Sequence, residues 1–331
     1  MRAAAAVAGL AYLLVACGSH APGPPPAFQA KRAAGRGMPL SRPAPEAARL
    51  LQSEDFELRG MKRAEHGVTR VDHGHAYFPK RRVDLEVKWK VAPSGGEGWN
   101  NVPRKEVAAF VIQQWFLDPD DWIVPPTAIR CIPVEEHRKF LDAAPIVEDT
   151  RCVVGMLAAW LDGVETPDEV LDLDRFRKEP EYARHRADLN LLAYLIDHRD
   201  GRLSNFLVPK DDDGRIYLID NGISFGGLVW NYFVPNWNDI RVPALVRDHI
   251  DRLRRVTADK VSALEVLTQL EADPQGVLEP AKPAPPWDPA QGARLRPGRA
   301  QFGLKADEVA GVAARLQELL ARVDAGKIPV F

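Results

Sequence analysis

The chain has 331 residues, 46% hydrophobic and 27% charged, with a formal net charge of −2. That is a globular composition with room for a two-lobed core, and its charge gives no electrostatic case for nucleic acid. No internal repeat is evident.

In chain order, the N-terminus reads as a processing signal. Arg2 is a minimal charged region, and Ala3 to Val15 is an apolar run too short to span a bilayer as a mature helix. Leu14-Val15-Ala16-Cys17 resembles a bacterial lipobox, in which the cysteine is lipidated and becomes the mature N-terminus. Residues 1–16 are then a lipoprotein signal peptide and Cys17 the lipidation site; an ordinary signal peptide with a chance cysteine is the competing reading. Residues 17–48, rich in Pro, Ala and Gly, read as a tether to a domain that begins near Leu50. The expected location is extracytoplasmic, lipid-anchored to a bacterial membrane, either the outer membrane or one facing the periplasm.

Asp72-His73-Gly74-His75 places two histidines on one strand face, without a third metal ligand at a useful spacing. Val83 to Lys90 alternates apolar and charged residues, the pattern of a half-buried strand. Lys88 and Lys90 share one face of it, so the pattern does not choose between them. A Gly-Gly-Glu-Gly loop follows, and Pro103 opens a helix that carries Glu106. Ala128 to Val134 and Arg151 to Leu157 read as strands, and Leu189 to Ile196 as an apolar helical segment.

That helix runs into His198-Arg199-Asp200, with Asn205 five residues after the aspartate. Phe206 to Val208 reads as a strand, Asp211 to Gly214 as a turn, and Arg215 to Ile219 as the returning strand, ending at Asp220-Asn221-Gly222. The hairpin puts Asn205 and Asp220 at one open end. Phosphoryl transfer needs a carboxylate to orient the attacking hydroxyl, and an amide oxygen and a second carboxylate to hold magnesium on the nucleotide phosphates. Asp200, Asn205 and Asp220 are the candidates for those three roles. The competing reading is a solvated turn before an ordinary hairpin. Further on, Glu279 to Pro297 reads as an irregular Pro-rich excursion. Asp307 to Val323 reads as an amphipathic helix that packs on the protein, not on a membrane.

The His-Arg-Asp-x-x-x-x-Asn run and the Asp220 to Gly226 stretch (DNGISFG) resemble the protein-kinase-like superfamily. The closer likeness is to its atypical branches, the phosphatidylinositol 3- and 4-kinases and the secreted Golgi casein kinase type. The resemblance implies an α+β, bilobal protein-kinase-like fold, with a small β-rich N-lobe (49–159) and a mainly helical C-lobe (160–331). It implies a phosphotransferase using ATP with Mg²⁺ or Mn²⁺. Asp200 would be catalytic, Asn205 and Asp220 would hold the metal, and Lys88 or Lys90 would form an ion pair with Glu106 over the nucleotide. Arg202 stands where many protein kinases carry a phosphate-contacting lysine. Trp160, near the expected hinge, would wall the adenine pocket. In such a lobe Cys131 and Cys152 lie on neighbouring antiparallel strands and can form a disulfide; two buried free thiols are the alternative. No G-x-G-x-x-G loop precedes the lysine strand and no Ala-Pro-Glu follows the metal turn. The acceptor, a hydroxyl of a protein, sugar or lipid, is left open. A catalytically inactive, kinase-shaped binding or scaffold module is the second reading.

Overall fold

A computed structural model describes residues 37–64, 70–226 and 236–331. The signal peptide, Cys17 and the first part of the tether lie outside the described residues. No helix among the described residues is long and apolar enough to cross a membrane.

The first helix, α1 (Ala44–Ser53), begins inside the stretch expected to be tether. Ala44, Ala47 and Ala48 are buried with Leu50 and Leu51, so the packed region starts earlier than Leu50. After α1 come β1 (Glu57–Arg63), β2 (Asp72–Phe78), β3 (Val83–Val91), α2 (Pro103–Gln113), β4 (Thr127–Pro133), the single turn α3 (Val134–His137) and β5 (Cys152–Ala159). The five strands form one antiparallel sheet in the order β1-β2-β3-β5-β4.

Period-two alternation sorts this sheet into two faces. On one, Leu85, Val87 and Trp89 of β3 and Val153 and Leu157 of β5 pack against Ala47, Leu50 and Leu51 of α1. Each fully buried leucine there contributes about 2 kcal/mol. Trp89 lies across Gly155: a Cβ at that glycine would meet the indole at 2.5 Å and the Lys90 carbonyl at 2.8 Å. On the other face stand Lys88 and Lys90, with Ile129, Cys131, Cys152 and Val154 beside them. Cys131 and Cys152 are diagonal neighbours on β4 and β5 and form a disulfide, Cα to Cα 5.6 Å.

The chain continues through β6 (Val164–Glu165), α4 (Leu173–Lys178), α5 (Pro180–Leu195), β7 (Phe206–Pro209) and β8 (Tyr217–Leu218). Strands β6, β7 and β8 make a small antiparallel sheet. Helix α5 starts with proline in its first turn and is buried on nearly every side. Three of its polar residues have specific partners: Arg184 in Asp121 at 3.1 Å, Asp188 in His249 at 2.5 Å, and Asn190 in the Arg241 and Val242 amides. The returning strand is shorter than expected, two residues rather than Arg215 to Ile219.

Helices α6 (Arg247–Leu253) and α7 (Ala258–Ser262) lead to β9 (Thr268–Ala272), β10 (Leu278–Ala281), β11 (Ala293–Arg296), β12 (Arg299–Phe302) and α8 (Ala306–Asp324). Strands β9 to β12 form a third antiparallel sheet, in the order β10-β9-β12-β11. This corrects the expectation of an irregular excursion over Glu279 to Pro297. Pro280 sits on β10, an edge strand, where a missing N–H costs no ladder bond. Leu270, Leu278, Ala300 and Phe302 of this sheet return to pack on Val107, Ile129, Cys152 and Val154. Residues near the end of the chain therefore cover the inner face of a sheet made near its beginning. Among the described residues the fold is thus mixed α+β, with three antiparallel sheets and eight α-helices.

Candidate functional site

Helix α5 ends at Leu195, and Asp197 turns the chain with φ 50°. Asp200 follows, then a single 3₁₀ turn, Leu203–Asn205, that feeds β7. Phe206 pairs with Leu218 and Leu207 with Tyr217 across the hairpin. One step further, the Ile219 amide donates to the Asn205 carbonyl at 3.0 Å. That bond fixes Asn205 and Asp220 at the same open end, as the sequence led us to expect. Asp220 adopts a left-handed conformation, φ 57° and ψ 56°, which aspartate tolerates better than most side chains.

Within the loop, Arg202 grips the Asp200 carboxylate through Nε at 2.8 Å and Nη2 at 2.6 Å, a two-point pairing that fixes both groups. The pairing raises the guanidinium pKa. The Asn205 Nδ2 donates to the Asp200 carbonyl at 2.8 Å, which leaves Oδ1 as the acceptor of that side chain.

The expected Lys–Glu ion pair is not formed among the described residues. Lys88 Nζ instead meets Asp220 Oδ1 at 3.3 Å, and Glu106 Oε2 accepts from the Asn221 amide at 2.9 Å. Helix α2 thus braces the turn that carries Asp220, and the turn, not Glu106 directly, holds the lysine. The charges still divide the two lysines. Burial opposes ionisation of Lys88, but Asp220 and then Glu106 outweigh it and the pKa is raised. For Lys90 burial dominates, only partly offset by Glu106 and Asp220, and the pKa is lowered. Lys88 holds the Asp220 carboxyl below its usual range; burial opposes this, and Lys90 and Arg202 add to it. The Asp220 side chain remains 44% exposed while Lys88 is 15% exposed, so the carboxylate keeps access to a ligand.

These groups open onto two adjoining cavities that share Lys88, Trp160, Ile219 and Asp220. One, of about 470 Å³, is walled by Val124, Met156, Ala158, Leu207 and Leu218 as well as by Trp160. Lys88 and Lys210 and the carboxylates of Glu106, Asp162, Glu165 and Asp220 also line it, and its apolar walls suit a planar base. The other, of about 430 Å³, is lined by Lys88, Lys90, Asp200, Arg202, Asn205 and Asp220. Every residue singled out for phosphoryl transfer, Glu106 excepted, lines this second space; Glu106 lines the first.

The oxygen donors of Asp220 and Asn205 fit a hard divalent cation such as Mg²⁺ or Mn²⁺, which takes one or two protein ligands and completes its shell with phosphates and water. No group of three His, Cys, Asp or Glu side chains able to hold a metal occurs among the described residues. His73 is engaged elsewhere, bonded to Glu86 at 2.8 Å and stacked on Trp160 at 4.0 Å.

Sequence reasoning missed three participants. Asn221 supplies the amide that Glu106 holds; Arg104 and Lys105 anchor α2 behind the site. Lys105 Nζ donates to the Ser224 carbonyl at 2.5 Å and the Gly226 carbonyl at 3.3 Å, pinning the chain just past the Asp-Asn-Gly turn. The basic pair next to Glu106 was visible, but Glu308 and Ser224, which it reaches, lie over a hundred residues away. No protein-family model matches this chain, and no curated relative matches it.

Proposed function

We propose that this protein is an ATP-dependent phosphotransferase of bilobal, protein-kinase-like fold, transferring the γ-phosphate to a hydroxyl. The observation that carries the reading is the convergence of Lys88, Asp200, Arg202, Asn205 and Asp220 on one cavity beside an apolar slot. The strand order β1-β2-β3-β5-β4, with α2 inserted between β3 and β4, supports the small-lobe assignment, and the helical environment of the catalytic loop supports the larger one.

In this reading the apolar slot takes the base and Lys88 the phosphates. Asn205 and Asp220 hold Mg²⁺ or Mn²⁺, which neutralises phosphate charge. Asp200, oriented by Arg202, receives the proton of the acceptor hydroxyl. The acceptor oxygen bonds to the γ-phosphorus as the bond to the β–γ bridging oxygen breaks, and ADP leaves. Lipidation at Cys17 and an extracytoplasmic location complete the proposal and rest on the sequence alone.

The missing Lys–Glu ion pair favours the second reading, a catalytically silent module of the same shape. Purified protein incubated with labelled ATP and Mn²⁺ separates the two. Metal-dependent thermal stabilisation together with ATP turnover or autophosphorylation supports the enzyme. No metal-dependent shift at all overturns it.

A further inference from the structure

Lys90 has no role in the reading above, and its surroundings point to one. It is 4% exposed, yet among the described residues it forms no hydrogen bond or ion pair. The other cations of its cavity are taken: Lys88 by Asp220, Arg202 by Asp200 through two bonds. The Lys90 Nζ is not among the fully buried polar atoms, so it opens onto the cavity, where an anion can reach it. Glu106 and Asp220 supply a favourable field but no contact, and Lys88 opposes it.

The cavities also divide the two lysines. Lys88 lines both. Lys90 lines only the second cavity, where Asn100, Asp200, Arg202 and Ser204 stand among apolar walls. Two residues apart on one strand face, the lysines have Cα atoms about 7 Å apart, enough to serve two separate anions.

We propose that Lys90 binds an anionic group, a phosphate or carboxylate, carried by the acceptor next to the hydroxyl that is phosphorylated. The acceptor is then a small anionic hydroxyl compound, of a size that the chamber of about 430 Å³ can enclose. This rests on the phosphotransferase reading for the identity of the neighbouring hydroxyl, but the anion subsite itself does not.

The test uses the whole protein saturated with Mg²⁺ and the non-hydrolysable β,γ-imido analogue of ATP, titrated with inorganic phosphate in a calorimeter. Wild type binds phosphate. Lys90→Met, a volume-matched apolar replacement, weakens phosphate at least tenfold and changes nucleotide affinity less than threefold. Lys88→Met does the reverse, with phosphate affinity read on nucleotide-free protein. The proposal is overturned if nucleotide-loaded wild type takes up no phosphate. It also falls if Lys90→Met weakens the nucleotide as much as Lys88→Met, because Lys90 then belongs to the nucleotide. Should wild type bind no nucleotide, the phosphotransferase reading fails on its own. Phosphate titrated into nucleotide-free wild type and Lys90→Met still decides the subsite: a tenfold difference supports it, equal affinities overturn it.

Discussion

Arg104 in the first turn of α2 and Glu308 in the first turn of α8 are ion-paired although 204 residues separate them. Arg104 is 1% exposed, and Glu97 completes its cage with bonds of 2.9 Å to Nε and Nη2. Glu308 also reaches Lys105 at 3.4 Å. The glycine at 292 makes room for the guanidinium, since a Cβ there would lie 1.9 Å from Nε. The end of the chain thereby sets the position of the helix that braces the Asp220 turn.

Removing one partner of a buried pair leaves an uncompensated charge, which costs about 3–5 kcal/mol. Glu308→Ala should fall near the lower figure, because Glu97 stays. Urea unfolding, read as a change in midpoint at constant slope, measures it; a loss below about 1 kcal/mol would mean that Glu97 alone satisfies Arg104.

Asp220→Ala and Asp200→Ala should fail differently. Metal carboxylates act on binding, whereas the loop aspartate acts on the acceptor. Asp220→Ala should abolish stabilisation by ATP and Mn²⁺, which at 100 times the dissociation constant amounts to about 2.7 kcal/mol. Asp200→Ala should keep most of that shift and lose phosphate transfer by orders of magnitude. Equal loss of the shift in both variants would refute this division of labour.

Reduction of the Cys131–Cys152 bridge should destabilise the protein. Its sequence separation is 21, for which loop closure predicts a loss of about 3 kcal/mol. Thermal melts with and without a strong reductant, compared with the Cys131→Ala/Cys152→Ala double variant, check it. An unchanged melting temperature on full reduction would show that the surrounding apolar packing alone fixes β4 against β5.

Acid should destabilise the fold before its carboxylates protonate. Burial pushes His198 down from 6.5 to about 4. The unfolded chain takes up that proton as pH falls through 6.5, while the native protein refuses it until about 4. The stability this histidine confers is therefore complete above 6.5 and drains away between 6.5 and 4, on the order of 3 kcal/mol in all. Burial also lowers His185 and His137, which act in the same direction. Urea titrations at stepped pH measure the slope, and a flat profile between pH 6.5 and 4.5 would contradict it.

Much of the site was legible because local periodicity carries it. Alternation marked β3, Pro103 marked α2, and the hairpin between Asn205 and Asp220 followed from turn residues. The choice between Lys88 and Lys90 was not legible: a period of two puts both on one face, and the deciding partner, Asp220, lies 132 residues on. The β9–β12 sheet was hidden for another reason. Its strands are four or five residues long, and proline-rich chain joins β10 to β11. The loop is held by Gln269 and Gln301, whose side chains bond the Ala284 and Trp287 amides. Such anchoring comes from across a sheet, which local composition does not report.

The return of residues 268–302 to the first sheet also has a consequence in time. Synthesis completes the five strands at Ala159, but the apolar surface around Cys131, Cys152 and Val154 finds its cover only when β9, β10 and β12 emerge. At about 5–20 residues per second the nascent sheet waits roughly 7–29 s with that surface bare. Chains that stall or are cut before Thr268 should therefore be the ones that aggregate or recruit holding chaperones, even though they contain every residue of the Asp200 loop and the Asp220 turn.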